Sequence, residues 1–304
     1  MSDSPSFRVR LLDETTSTND EIKHALAAGE TEGIVVRARR QTGGYGRQGR
    51  SWTSPEGGLY ASLLLHPEVN SAVLPTLSLV TSVAVRKALV RFLPEHERNC
   101  VLIKWPNDIV YRPSADKSGQ TFGGPSSAAS DQMDQDAADL ELPSAPAFHK
   151  LCGISLESHA GGVCLGMGVN VFAPGVSKSV GGKNVPVYLA ELAESADATE
   201  HLGPAESRSS VWQSTDELID EVFASIMKEF VPVYERWQKE GFAPFAECYR
   251  EHAALSDRLV RVMDRAGVVV TEGQAEGVDD DGRLVLRSAD GSLSFTQSGE
   301  VHLA

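Results

Sequence analysis

The stretch QTGGYGRQGRSW, residues 41–52, constrains the fold more than any other. It meets one nucleotide-binding pattern and nearly meets a second, while its flanks fit neither. Gly44, Gly46 and Gly49 spell G-x-G-x-x-G, and Gly44 to Ser51 reads as a phosphate loop with Arg50 in the lysine position. Both patterns need a helix directly after the glycines, because its unpaired N–H groups and dipole hold the phosphates. Here RSWTSPEGGLYASLLL follows, with Pro55, Gly57 and Gly58 leading into a strand-like run. The glycines therefore sit between two strands, and neither nucleotide-binding fold suits the chain.

The loop's company still points to a small anion. Glycines let backbone N–H groups approach a ligand, Arg47 and Arg50 complement phosphate or carboxylate, and Trp52 offers a flat apolar wall. Two further stretches suit such a site: KWPNDIVY places Lys104, Asn107 and Asp108 around a proline turn, and KLCGI opens on Lys150. Taken singly these residues have ordinary readings, since a lone lysine is usually a solvated surface group and an Asp after Pro-Asn a turn residue.

Periodicity organises the rest. FRVRLLDE alternates like a strand; a helix over about 19–28 follows, with Thr18 and Glu21 at capping-box spacing and Gly29 as its stop. GIVVRARR and GLYASLLLH read as strands, LPTLSLVTSVAVRKALVRFLP as a helix, and VLIKW and IVY as strands around Pro-Asn. KLCGISLES and VCLGMGVNVF form a hairpin about HAGG. A helix-rich part follows, with Ser214 and Glu217 as a second capping box; from about Arg258 short strands with Asp-Gly turns at 281–282 and 290–291 indicate a small barrel or sandwich. The DDDG there lacks the first aspartate of an EF-hand loop, Gly277 standing in its place, so a hairpin turn is expected and no metal site. Residues 113–147 are rich in Ser, Ala, Asp and Gln, with Phe122 the only aromatic, and read as a disordered insertion.

Composition excludes some functions. A formal charge of −14 over 304 residues is wrong for a surface that neutralises nucleic-acid phosphates. Four cysteines without C-x-x-C spacing, on apolar stretches, read as reduced core thiols of a cytoplasmic protein. No apolar run reaches the roughly 18 residues of a membrane span.

Five stretches in order, ETTSTND, QTGGYGRQGRSWTSPEGGLYASLLL, KWPNDIVY, KLCGISLE and GMGVNVF, resemble the biotin protein ligases. With the β-rich tail, the resemblance covers nearly the whole chain. It implies an α+β fold: a mixed, mainly antiparallel sheet backed by helices, of the class II synthetase-like kind, with a C-terminal SH3-like β-barrel. The catalytic domain would span 1–256 and the barrel 257–304. The implied activity uses ATP, biotin and Mg2+ to form biotinyl-adenylate, then transfers biotin to a lysine of a biotin carboxyl carrier domain.

By the same resemblance, Arg47, Lys150, Asp108 and Lys104 are catalytic. Ser17, Thr18, Asn19, Gln41, Gly44, Tyr45, Gly46, Arg47, Trp52, Lys150 and Gly153 would hold biotin. Arg47, Arg50, Trp52, Asn107, Lys150 and Asn170 would hold ATP. The pattern departs from the family at Tyr45, where arginine is usual, and at Gly43, where alanine is usual. A lipoate or octanoate ligase and an inactive biotin-binding module are the alternatives. A biotin-sensing repressor is disfavoured, since 14 residues before Thr15 are too few for a helix-turn-helix. Oligomeric state, a homodimer included, is left open.

Overall fold

The computed structural model describes residues 7–113, 148–174, 185–194, 215–264 and 266–304. Most of the segment read as an insertion, and the Ser214 half of the second capping box, lie outside the described residues.

Strands β1 (Arg8–Thr15), β2 (Ile34–Gln41), β3 (Leu59–Leu65), β4 (Val101–Lys104), β5 (Asp108–Tyr111), β6 (His149–His159), β7 (Gly162–Val169) and β8 (Val185–Pro186) form one sheet. Its order is β1-β2-β3-β7-β6-β5-β4, with β8 paired to β6. Only β1/β2 and β6/β8 run parallel, so the sheet is mixed and mainly antiparallel, as expected.

Alternation splits this sheet into two environments. Leu59, Ala61, Leu63 and Leu65 of β3 and Val163, Leu165, Met167 and Val169 of β7 enter the main apolar core. Helices α2 (Leu77–Leu89) and α5 (Thr215–Glu240) pack there. In α5 the residues Leu218, Val222, Phe223, Ile226, Phe230, Tyr234 and Trp237 recur at helical spacing, so one long face is buried. Phe230, Tyr234 and Trp237 stack in succession with centroids 5.5 and 5.9 Å apart, and the buried Trp237 Nε1 donates to Thr76 Oγ1 at 2.8 Å. On the opposite face, Ile22, Ala25 and Leu26 of α1 (Thr18–Ala27) pack on Ile34, Val36, Leu64 and Cys164. Helix α1 covers only part of that face, and the remainder is the wall of a cleft.

The capping-box spacing does not produce a capping box. Ser17 is the N-cap and makes no side-chain cap bond. Glu21 instead accepts from Thr15 Oγ1 at 2.7 Å, and Thr18 N donates to Gln41 Oε1 at 2.7 Å, because β2 brings Gln41 to the helix start. Gly29, at φ +74°, does end α1. The remaining helices are short: α3 at Glu95–Arg98, α4 at Leu189–Glu194 and, within the part read as helix-rich, α6 at Ala246–Glu251. Cys152 and Cys164 are buried, but Cys100 is half-buried and Cys248 exposed; Cys248 lies on the outer face of α6, so it is not a core thiol.

Strands β9 (Leu259–Met263), β10 (Val269–Val278), β11 (Leu284–Arg287), β12 (Leu293–Thr296) and β13 (Glu300–Leu303) form a second, antiparallel sheet in the order β12-β11-β10-β9-β13. Gly282 and Gly291 take φ of +77° and +84°, as the Asp-Gly turns require. Asp279 caps the first turn by accepting the backbone N–H groups of Asp281 and Arg283. A closed barrel is not formed: the pairing is an open path, with no ladder joining β12 to β13 among the described residues. Val260, Val262, Leu284, Leu286 and Val301 belong to the same apolar core as the first sheet, and Trp105 Nε1 donates to Gly282 O at 3.2 Å. The second sheet is thereby seated beside the KWPND turn.

Trp237→Ala should remove a fully buried ring and cost about 3–5 kcal/mol in urea unfolding; a loss below about 1 kcal/mol would show that the α2–α5 interface does not carry the fold.

Candidate functional site

A cleft of about 840 Å³ opens on the sheet face that α1 leaves uncovered. That volume lies toward the upper end of the range of roughly 300–1,000 Å³ for small-molecule sites. Fifteen of the residues singled out from the sequence, from Ser17 to Asn170, line it. Gly44 does not: it is buried behind the loop, where a Cβ would lie 2.7 Å from Trp52 O and 2.8 Å from Gln41 Nε2. Its role is to let the two sides of the loop close on each other.

One end is a polar cluster. Gln41 Oε1 receives Thr18 N at 2.7 Å and Thr18 Oγ1 at 3.1 Å, while Gln41 Nε2 donates to Ser54 Oγ at 2.8 Å. Ser62 Oγ, fully buried, lies 2.7 Å from both Thr18 Oγ1 and Asn19 Oδ1. Asn19 Nδ2 donates to Ser155 Oγ at 3.1 Å and Glu157 Oε1 at 3.2 Å. Three close oxygen–oxygen approaches at Gln41, Thr18, Ser62 and Asn19 share two hydroxyl protons. The cluster is therefore rich in acceptors and suited to a ligand that brings N–H donors.

The middle is floored by glycine. Gly153, Gly166 and Gly168 present no side chain to the cleft, and a Cβ on Gly168 would stand 2.8 Å from the Trp52 indole. Trp52 thus lies against the strands as a wall of the cleft, rather than in the core. Its buried Nε1–H finds no acceptor among the described residues, leaving an open donor.

The other end is cationic. Lys150 Nζ lies 2.8 Å from Asp108 Oδ1, both largely buried, and 5.0 Å from the Trp52 ring centroid. Burial holds the Lys104 ammonium below the usual lysine range, and Asp108 opposes that shift. Asn107 is fixed by donating to Ile154 O at 2.7 Å, and accepts from Arg47 Nη1 at 3.2 Å. Asn170 Nδ2 donates to Lys150 O at 2.9 Å, bracing the lysine's backbone. Arg50 is engaged elsewhere, its Nη1 lying 2.7 Å from Glu300 Oε1 on β13.

The glycine loop itself is a short hairpin between β2 and β3. Gln41 bridges Ser54 and Tyr45 bridges Ser51, with Trp52 N donating to Gly44 O at 2.8 Å. Gln48 and Gly49 make its tip at φ +59° and +70°. Tyr45 Oη donates to Asp20 Oδ1 at 2.8 Å, and the Lys23 ammonium lies 4.9 Å from the Tyr45 ring centroid. Burial raises the Tyr45 phenol to about 12.

Ser62, Ser155 and Glu300 escaped sequence reasoning. Ser62 had a signal, as the lone serine in the otherwise apolar and aromatic run LYASLLL; Glu300 had none, because its place at the cleft comes only from the docking of the second sheet. Gly168→Ala should push the indole aside and weaken ligand binding at least about tenfold by overpacking. Unchanged Trp52 fluorescence and binding in that variant would remove the glycine floor from the site.

A model of the Biotin/lipoate A/B protein ligase family matches residues 11–130, and one of the Biotin protein ligase C terminal domain matches residues 255–303. The biotin--[acetyl-CoA-carboxylase] ligase of Paracoccus denitrificans is 30% identical over 293 residues, covering 92% of this chain and 95% of that protein. The bifunctional ligase/repressor BirA of Bacillus subtilis is 26% identical, over 95% of this chain and 72% of its own. In fold, the chain is similar to the biotin protein ligase from Aquifex aeolicus solved in complex with biotin and ATP: TM-score 0.66 at 22% identity, over 98% of both chains. With a relative this similar along almost its entire length and both family models matched in order, the chain belongs to the biotin protein ligase family.

Proposed function

We propose that the protein activates biotin with ATP and transfers it to the ε-amine of a lysine on a biotin carboxyl carrier domain. The observation that carries this reading is the cleft's polarity: an acceptor-rich pocket at one end, a glycine and indole trough between, and a cationic corner at the other. Biotin has the matching order, with ureido N–H groups at one end and a carboxylate at the other. Octanoate in the same trough would bring no N–H groups to the acceptor oxygens of Thr18, Asn19, Gln41 and Ser62, and a site built to bond such groups discriminates against a ligand that lacks them. That favours biotin over the medium-chain acids.

Ser17, Thr18, Asn19 and Gln41, with Ser62 and Ser155 behind them, would receive the ureido ring. Gly153, Gly168 and Trp52 would enclose the apolar part, and Gly46 and Tyr45 would close over it. Lys150 and Arg47 would meet the carboxylate and the α-phosphate. A carboxylate oxygen attacks the α-phosphorus, the bond to pyrophosphate breaks, and biotinyl-adenylate forms. Charge builds on the phosphoryl oxygens and the leaving group, and fixed cations in a largely buried corner stabilise it. The Asp108 carboxylate holds Lys150 in place, so the cation is already aimed when the ligands arrive.

In the second step the carrier's amine attacks the acyl carbon, the amide forms, and AMP departs. Asp108 would accept a hydrogen bond from that amine and help remove its proton, with Lys104 and Asn107 shaping the approach. Asn170 and Trp52 would contact the nucleotide. Arg50 would reach the ATP phosphates by exchanging Glu300 for them. Magnesium would travel with the triphosphate, which supplies most of its ligands, as is usual for this ion. In this reading residues 1–256 carry the chemistry and 257–304 complete the rim of the cleft. Four free cysteines suit a cytoplasmic setting.

ATP–pyrophosphate exchange without carrier, run in parallel with biotin, lipoate and octanoate, tests this directly. Exchange should occur with biotin alone. Lys150→Gln should lower it at least about 100-fold with the fold retained by circular dichroism. Exchange with octanoate or lipoate instead, or none with any acid, would overturn the reading.

Arg47→Gly should free the loop from Asn107 and raise biotin labelling of non-carrier proteins by about tenfold. Wild-type carrier selectivity in that variant would refute a role for Arg47 in retaining the adenylate.

A further inference from the structure

We propose that Tyr45 is a positioning residue: its Oη, by donating to Asp20, latches the glycine loop to helix α1 and holds it over the cleft. The consequence for retention of the acyl-adenylate rests on the function proposed above; the latch itself does not.

The loop needs such a device. Its tip, Gln48 to Arg50, is exposed, and Gln48 takes a left-handed conformation that an L side chain adopts at a cost. Its base is tied by Thr42 N to Thr15 O at 3.0 Å and Gly43 N to Thr16 O at 2.8 Å, both below the part that covers the cleft. Above them, Arg47 and Arg50 reach Asn107 and Glu300, groups whose arginine partners have phosphates to contact in the reaction. Tyr45 is tied differently. Its 2.8 Å bond goes to Asp20 on α1, a helix packed on the sheet through Ile22, Ala25 and Leu26, and Asp20 has no role in the proposed chemistry.

The latch is also connected to the polar end of the cleft. Lys23 Nζ sits 4.9 Å from the Tyr45 ring centroid and 2.8 Å from Glu157 Oε2. Glu157 Oε1 in turn accepts from Asn19 Nδ2 at 3.2 Å, and Asn19 lines the pocket assigned to the ureido ring. A continuous set of polar contacts therefore runs from loop to ring pocket, so a ligand that orders Asn19 also steadies the partners of Tyr45. Burial keeps the phenol protonated. The donor is fully present below the ordinary tyrosine pKa of about 10, and is lost only as pH climbs through about 12.

Tyr45→Phe keeps the ring over Lys23 and deletes only the donor. In ligand-free protein, amide hydrogen exchange over residues 44–50 should accelerate about tenfold, the loss of one charge-assisted bond. Release of biotinyl-adenylate, followed by rapid filtration, should quicken by a similar factor, about tenfold. Asp20→Ala should match Tyr45→Phe, and the double variant should be no worse than either single one. Asp20→Asn, which keeps an acceptor, should restore most of the protection.

Wild-type loop exchange in Tyr45→Phe, or an additive double variant, would overturn the latch. Faster loop exchange with unchanged adenylate release would overturn its role in retention. If the wild type formed no adenylate, the function proposed above would fall, while the loop-exchange result would still decide for or against the latch.

Discussion

The alternation of β3 and β7 is the constraint on which everything else depends. A strand sends successive side chains to opposite faces, and in these two strands one face is wholly apolar while the other carries Tyr60, Ser62, Gly166 and Gly168. The apolar set must be covered, and α2 and α5 cover it. The other set is too small and too polar to be covered the same way, so the space above it stays open. Core and cleft are thus two sides of one pairing, and a register slip of one residue would exchange them.

Electrostatics is arranged locally against the average. The chain carries −14 overall, yet Arg47, Arg50, Lys104 and Lys150 converge on one cleft. Three of them are engaged before any ligand arrives: Lys150 by the Asp108 carboxylate, Arg50 by the Glu300 carboxylate and Arg47 by the neutral Asn107 amide. An anionic ligand replaces some of these partners rather than meeting bare charge, which limits the cost of holding several cations close together.

Much of this was legible in the sequence. The failure of the helix requirement after Gly49 excluded two common folds, and alternation, β-branched runs and turn residues together located every strand of the main sheet up to the hairpin of β6 and β7. The glycine loop, the KWPND turn and Lys150 were each ambiguous alone and were identified together by the family resemblance; the fold brings them into one cleft. What was missed depends on distant partners. Thr18 and Glu21 have the spacing of a capping box, but β2 offers Gln41 to Thr18, a contact across 23 residues that outcompetes the local bond. Ser62 contributes from beneath the cleft, and Glu300 arrives only through the docking of the second sheet, which the short-strand pattern left open as barrel or sandwich.

The most direct measurement is native mass spectrometry of the protein incubated with biotin, ATP and magnesium in the absence of any carrier. If one cleft holds both ligands in reacting order, each chain should carry a single added mass equal to biotinyl-adenylate. Biotin and nucleotide appearing as separate, independent additions, or no addition at all, would contradict the idea that the two ends of this cleft serve one reaction.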